Sequence, residues 1–314
     1  MGSNNDNMGK RGGNLMITIP TVHKVSLPNG EVMGYRKRDG GEKTILLVHG
    51  NMTSSKHWDL FFETFPASYT LVAIDMRGFG ESSYNKRVEG IEDFAQDLKF
   101  FVDQLGLNDF TMIGWSTGGA VCMQFEAQYP GYCDKIVLIS SASTRGYPFF
   151  GTHSDGTPDL NQRLKTVDDI EKDPMRTIPI QQAYDTGNRA LLKTIWNSLI
   201  YTHNQPEEKR YEAYVDDMMT QRNLADVYHA LNTFNISSVT NGLTEGTNQA
   251  NLIRIPVLVL RGERDLVISK EMTEEIVEDL GTNSTYKELS ASGHSPFIDD
   301  CDQLTNIITD FLEK

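Results

Sequence analysis

The chain has 314 residues, 39% of them hydrophobic and 23% charged, proportions of a folded globular protein and unlike those of a disordered or collagen-like chain. Its formal net charge is −14 and its longest basic run is Arg36-Lys37-Arg38, so the basic footprint that a nucleic-acid backbone requires is missing. Acidity of this kind reads as a solvated surface, not as a partner-binding device.

The first fifteen residues, MGSNNDNMGKRGGNL, are polar and rich in Gly and Asn. Lacking an apolar segment, residues 1–15 read as a disordered tail or an expression remnant, not as a signal peptide. With Asp6 in place of Ser or Thr, the Met-Gly start does not complete a myristoylation pattern. Residues 24–36 (KVSLPNGEVMGYR) read as a hairpin turning at Pro28-Asn29-Gly30, an antiparallel edge to a sheet. Short apolar or β-branched runs follow at 44–48 (TILLV), 70–74 (TLVAI), 111–113 (TMI) and 135–139 (KIVLI), then at 255–260 (IPVLVL) and 285–289 (TYKEL). Nearly continuous apolar runs suit strands buried on both faces of a parallel sheet. Between the second and third, Phe94, Leu98, Phe101, Val102 and Leu105 recur at helical spacing and stop before Gly106. Strand alternating with helix predicts an α/β architecture.

The rhythm breaks after Ser143 and returns near Leu252. Three amphipathic helices are predicted in between. One carries Leu191, Leu192, Ile195, Trp196, Leu199 and Ile200; the next carries Tyr211, Tyr214, Val215, Met218 and Met219; the third carries Leu224, Val227, Tyr228, Leu231 and Phe234. Residues 151–172, polar and interrupted by Pro158, are expected to form a long loop, and no strand is expected in the whole stretch. The division is thus a tail at 1–15, a core built from 16–143 and 252–314, and a helical cap at 144–251. No run of about 18 apolar residues is present to span a membrane.

The sharpest chemical signal is Gly114-Trp115-Ser116-Thr117-Gly118, between the strand ending at Ile113 and an apolar helix carrying Val121, Phe125 and Ala127. In that setting G-x-S-x-G is a nucleophile elbow, its small residues needed because the tight turn brings backbone too close for side chains. The helix N-terminus behind Ser116 offers N–H groups and a positive dipole end to a developing oxyanion. After the 44–48 strand comes His49-Gly50-Asn51-Met52, where the Asn51 N–H would form one half of an oxyanion hole and the Thr117 N–H the other. After 70–74 comes a Gly-punctuated loop, 75–82 (DMRGFGES), whose Asp75 and Arg77 read as structural ties. Beyond 255–260, Asp265 falls where the sites of open α/β sheets collect. It would accept the Nδ1 proton of a histidine, with Glu263 as the competing carboxylate. Gly293-His294-Ser295-Pro296 supplies His294 as the base that takes the Ser116 proton and returns it to the leaving group. Trp115 is read as a substrate-contacting side chain, and the chemistry needs no cofactor or metal.

From about Thr18 onward, the pieces HGNM (49–52), DMRGFGES (75–82), GWSTGG (114–119), GERD (262–265) and SGHSPF (292–297) stand in a familiar order and spacing. They resemble the capped members of the α/β-hydrolase fold family. The resemblance implies a mostly parallel sheet flanked by helices, an inserted helical cap, and the triad order Ser116, Asp265, His294. Haloalkane dehalogenases and epoxide hydrolases of this fold carry a carboxylate at the elbow, so Ser116 implies acyl transfer to water through an acyl-enzyme instead. Gly114-Trp115-Ser116, on a chain without a recognisable secretion signal, is similar to the intracellular poly(3-hydroxybutyrate) depolymerases of Bacillus type; Thr117 departs from the Met or Leu usual after their serine. That likeness implies a cytoplasmic enzyme acting on a polyester granule. The three scattered cysteines, Cys122, Cys133 and Cys301, agree with reduced thiols. Two other readings stay open. One is a small-molecule carboxylesterase, enol-lactonase or C–C bond hydrolase, in which Arg145, Arg163 or Arg189 would meet a substrate carboxylate; the other is a non-catalytic, hydrolase-like binding protein.

Overall fold

The computed structural model describes residues 19–153 and 155–314, and the tail expected at 1–15 lies outside the described residues. β1 (Val22–Ser26) and β2 (Val32–Arg38) form the antiparallel hairpin, closed where the Leu27 N–H donates to the Glu31 carbonyl at 2.8 Å. The next apolar runs become β3 (Lys43–Val48), α1 (Asp59–Thr64), β4 (Tyr69–Ile74), α2 (Ile91–Leu105), β5 (Phe110–Trp115), α3 (Thr117–Gln128) and β6 (Cys133–Ile139). A long excursion follows through β7 (Phe150–Thr152), β8 (Pro158–Arg163), α4 (Val167–Glu171), α5 (Thr177–Thr186), α6 (Arg189–Leu199), α7 (Glu208–Met218) and α8 (Leu224–Thr233). The chain then completes the sheet with β9 (Val257–Gly262), α9 (Lys270–Leu280) and β10 (Ser284–Leu289), and ends in α10 (Pro296–Asp299) and α11 (Cys301–Leu312).

Eight strands form one sheet in the order β1-β2-β4-β3-β5-β6-β9-β10, parallel except where β2 meets β1 and β4. The parity of each residue decides which layer it joins, because successive side chains on a strand point to opposite faces. Leu46, Val48, Met112, Leu138 and Val259 pack with Phe94 and Leu98 of α2, Val121 and Phe125 of α3 and Ile276 of α9. Their chain neighbours Ile45, Leu47, Ile113, Val137 and Leu258 face the other way, onto Phe61 and Phe62 of α1 and Leu304 and Ile308 of α11. Each such side chain contributes about 1.5–3 kcal/mol on burial, so both layers hold the strands in register. α2 stops at Gly106, whose φ of 63° is the left-handed C-cap conformation that glycine adopts without strain.

Residues 151–172 are not the long loop expected from their polarity. β7 and β8 pair as an antiparallel hairpin, and α4 starts at a capping box in which Thr166 and Asp169 each accept the other's backbone N–H. The hairpin is illegible by periodicity because β8 is largely exposed and reads PDLNQR. Its anchor is tertiary: Arg163 donates to the Asn232 side chain at 2.9 Å and to backbone carbonyls of Asn232 and Asn241. α7 is tied to the sheet side of the molecule by buried polar contacts. Asp217 accepts from the Ser54 hydroxyl at 2.6 Å and lies 3.1 Å from His57 Nδ1, Tyr214 donates to Asp59, and Arg210 pairs with Asp59 at 2.7 Å.

Candidate active site

The turn between β5 and α3 holds Ser116 at φ 55° and ψ −117°, outside the favourable regions for a residue with a Cβ. Strain of about 1–3 kcal/mol is typical of such a residue, and three backbone hydrogen bonds hold it. The Ser116 N–H donates to the Ile139 carbonyl at 3.0 Å, and its own carbonyl accepts from Gly119 at 3.0 Å and Ala142 at 3.2 Å. The flanking glycines are steric requirements. A Cβ on Gly114 would lie 2.5 Å from the Gly118 carbonyl oxygen, one on Gly118 2.1 Å from that of Val48, and one on Gly119 2.1 Å from Ser141 Oγ. The turn after β3 closes over the serine, since a Cβ on Gly50 would stand 3.1 Å from Ser116 Cβ and 3.7 Å from its Oγ. Here lie the two backbone groups expected at an oxyanion hole: the N–H groups of Asn51 and Thr117 donate to no other group among the described residues. The Asn51 side chain accepts from Nε2 of Gln221, just after α7, at 2.8 Å, which helps orient the turn.

His49 is fully buried and serves the turn without opening onto it. Its Nε2 accepts the Met76 N–H at 2.9 Å, which leaves the ring proton on Nδ1, 2.7 Å from the Gly50 carbonyl. Burial pushes its pKa down from 6.5 to about 4, against a smaller upward pull from the Gly50 carbonyl and Asp217. Above pH 6.5 the ring is neutral folded or unfolded; between 6.5 and 4 the unfolded chain binds a proton that the fold refuses. Stability should therefore fall with falling pH across that window, by about 3 kcal/mol from this residue. Urea midpoints at pH 7 and pH 4.5 check this: the loss should be smaller by about 2–3 kcal/mol in His49→Gln, and equal losses would refute the assignment.

Asp265 follows β9 and His294 follows β10, and both are buried. His294 Nδ1 lies 3.0 Å from Asp265 Oδ2 and 3.1 Å from Oδ1. Oδ1 also accepts the N–H groups of Val267 at 2.8 Å and Ile268 at 2.9 Å. Burial pushes the Asp265 carboxyl up, but the His294 ring and these two N–H groups outweigh it and hold the group below the usual carboxylate range. Glu263 is exposed, accepts the Ala291 N–H at 2.9 Å and lies 3.3 Å from Arg264, so it is the carboxylate not brought to the histidine. Trp115 is almost wholly buried. Its indole N–H donates to the His294 carbonyl at 2.8 Å and its ring meets Phe297 edge-on, so it fixes the histidine loop as well as forming wall. Asp75 and Arg77 are ties as read: Asp75 accepts from the Ser55 and Glu81 N–H groups, and Arg77 donates to both oxygens of Asp97.

Ser116 and His294 open onto one cavity of about 370 Å³, which Asn51, Thr117 and Trp115 also line. Its far walls come from the excursion, with Ile180, Trp196, Tyr228 and Leu231 prominent, and from Leu266, Val267 and Ile268 after β9. The three arginines picked out for a substrate carboxylate are not there. Arg145 is held by Glu278 and Asp279, Arg189 by Glu212 and Asp216, and Arg163 by the carbonyls that anchor the hairpin. Arg176, which no motif marks, is the lining residue with a permanent charge. Among the described residues no cluster of His, Cys, Asp and Glu suited to a metal ion occurs, and no helix is long and apolar enough to cross a membrane.

A family model described as alpha/beta hydrolase fold matches residues 43–300. The chain is similar to a 2-hydroxy-6-oxononadienedioate/2-hydroxy-6-oxononatrienedioate hydrolase of Paraburkholderia phymatum, 22% identical over 88% of this chain and 90% of the relative. Among solved structures it is similar to an esterase of Exiguobacterium antarcticum, with TM-score 0.70, 16% identity and coverage of 94% and 100% of the two chains. An enol-lactonase of Burkholderia xenovorans has TM-score 0.69 and 19% identity, over 93% of this chain and all of its own. At these identities the likeness shows the fold.

Proposed function

The chain belongs to the alpha/beta hydrolase fold family, and we propose that it is a carboxylic ester hydrolase working through an acyl-enzyme on Ser116. The observation that carries this reading is His294, 3.0 Å from the buried Asp265 and lining the same cavity as the strained Ser116. Asp265 keeps the proton of His294 on Nδ1, so Nε2 is the free base that takes the Ser116 proton as Oγ attacks the ester carbonyl. The N–H groups of Asn51 and Thr117 receive the oxyanion, each donor of this kind being worth about 2.7–4 kcal/mol in the transition state. His294 returns the proton to the departing alkoxide, and a water activated by the same ring then releases the acyl group.

The acyl pocket we assign is small and, Arg176 apart, mainly apolar, because Trp196, Ile180 and Leu231 help close a space of about 370 Å³, the lower end of small-molecule sites. The polyester reading is the second one, favoured by Gly114-Trp115-Ser116. A fluorophosphonate probe should label the protein stoichiometrically and fail to label Ser116→Ala; labelling retained in the variant removes Ser116 as nucleophile. The panel for the acyl group is 4-nitrophenyl butyrate, an enol-lactone and amorphous poly(3-hydroxybutyrate) granules. Turnover of the ester without release of 3-hydroxybutyrate supports the small-acyl assignment, and faster release from granules overturns it.

A further inference from the structure

We propose that Arg176 is an anion-binding residue of the catalytic cavity, and that the preferred acyl group carries a carboxylate at the end remote from the scissile carbonyl. This rests on Ser116 and His294 as the reacting end of that cavity. Arg176 precedes α5 and is half-buried. Its guanidinium lies 3.7 Å from the centroid of the Phe149 ring, and Nη2 donates to the Phe150 carbonyl. Nε is buried without a partner, and the side chain meets no carboxylate among the described residues. Asp173, on the same turn, is committed to the backbone N–H groups of Arg176 and Thr177, at 2.7 and 3.3 Å. Four other arginines are charge-paired, Arg87 with Asp226, Arg145 with Asp279, Arg189 with Glu212 and Arg210 with Asp59, and none of these four lines the cavity.

An arginine among Phe149, Tyr147, Tyr228 and Met175 has lost much of its hydration, and stacking on one ring replaces only part of it. A fold that needed Arg176 merely to hold the Phe150 carbonyl would be served by a neutral donor. A carboxylate arriving in the cavity supplies the missing charge and acceptors for a planar fork that has donors to spare, and charge-assisted pairs of this kind are the strong ones. The rest of the wall offers such an anion no competing cation, since Arg176 is the permanently charged residue among those lining the cavity. One cavity thus holds both the reacting Ser116 and the charged Arg176, with mainly apolar side chains lining the rest of it for a methylene chain.

Two measurements test this. In the first, kcat/KM is compared for mono(4-nitrophenyl) adipate and 4-nitrophenyl hexanoate, which share acyl length and differ in the terminal carboxylate. The ratio should favour the half-ester in the native protein, fall at least about tenfold in Arg176→Gln, chiefly through KM, and recover in part in Arg176→Lys. In the second, adipate and hexanoate are titrated calorimetrically into Ser116→Ala, with and without Arg176→Gln. Adipate should bind the single variant more tightly and lose that advantage in the double one. An unchanged kinetic ratio in Arg176→Gln, or adipate binding indifferent to Arg176, overturns the proposal. Failure of fluorophosphonate labelling alongside Arg176-dependent adipate binding would leave the anion site standing and remove the nucleophile assignment instead.

Discussion

Asp265→Asn should lower kcat for 4-nitrophenyl butyrate by about 10⁴, the size of effect that the same exchange has in serine-protease triads, while leaving KM nearly unchanged. The geometry dictates how. Oδ1 is held by the Val267 and Ile268 N–H groups, so the asparagine must place its carbonyl oxygen there and its NH₂ at the Oδ2 position, 3.0 Å from His294 Nδ1. A donor facing Nδ1 forces the ring proton onto Nε2, and a protonated Nε2 cannot take the proton of Ser116. The loss is therefore one of tautomer, with folding retained, and the thermal midpoint of the variant should stay within a few degrees of the native one. Glu263→Gln is the control: its carboxylate serves the Ala291 N–H and Arg264 at the rim, and turnover should change less than about threefold, within the range of a surface substitution. A large loss in Glu263→Gln with a small one in Asp265→Asn would exchange the two roles.

The centre of the sheet was legible because its inner strands are buried and apolar on both faces, a pattern that shows in 44–48, 70–74 and 135–139. The run at 111–113 is the middle of β5, which Phe110 opens and Gly114 and Trp115 continue. The candidate residues share a placement that the sequence carries: each follows a strand, Asp265 and His294 pair at 3.0 Å, and Ser116 and His294 line one cavity. What failed was whatever depends on packing across the excursion. The β7–β8 hairpin carries little apolar pattern and is held by Arg163 reaching Asn232, 69 positions away. The sequence singles out Arg145, Arg163 and Arg189 and passes over Arg176, yet the first three are engaged outside the cavity and Arg176 lines it. A cation's availability is set by its neighbours in space, and no spacing along the chain encodes it.

Glycines in this chain impose two kinds of constraint with different expected costs, and Gly118→Ala at the elbow is the severe case. Gly118 does not occupy a left-handed backbone conformation; its constraint is purely steric, with a Cβ placed 2.1 Å from the Val48 carbonyl oxygen and 2.6 Å from that of His49. Both obstacles are backbone at the end of β3, the central strand that carries the Asn51 turn, so neither rotates away as a side chain would. Separating them requires β3 and α3 to move apart and disturbs the Ser116 and Asn51 positions together. The expected loss is about 3 kcal/mol or more, at the upper end for overpacking and a large part of the 5–15 kcal/mol that holds a typical domain. Gly187→Ala is the comparison. Gly187 ends α5 at φ 64° with nothing within 4 Å of the added Cβ, so it costs the left-handed strain alone, about 1–2 kcal/mol. Urea midpoints should rank native, Gly187→Ala, Gly118→Ala, with fluorophosphonate labelling kept in Gly187→Ala and lost in Gly118→Ala even where the latter still folds. Equal midpoints for the two variants would mean that β3 and α3 yield to each other, and that the close approach at Gly118 does not hold the elbow in place.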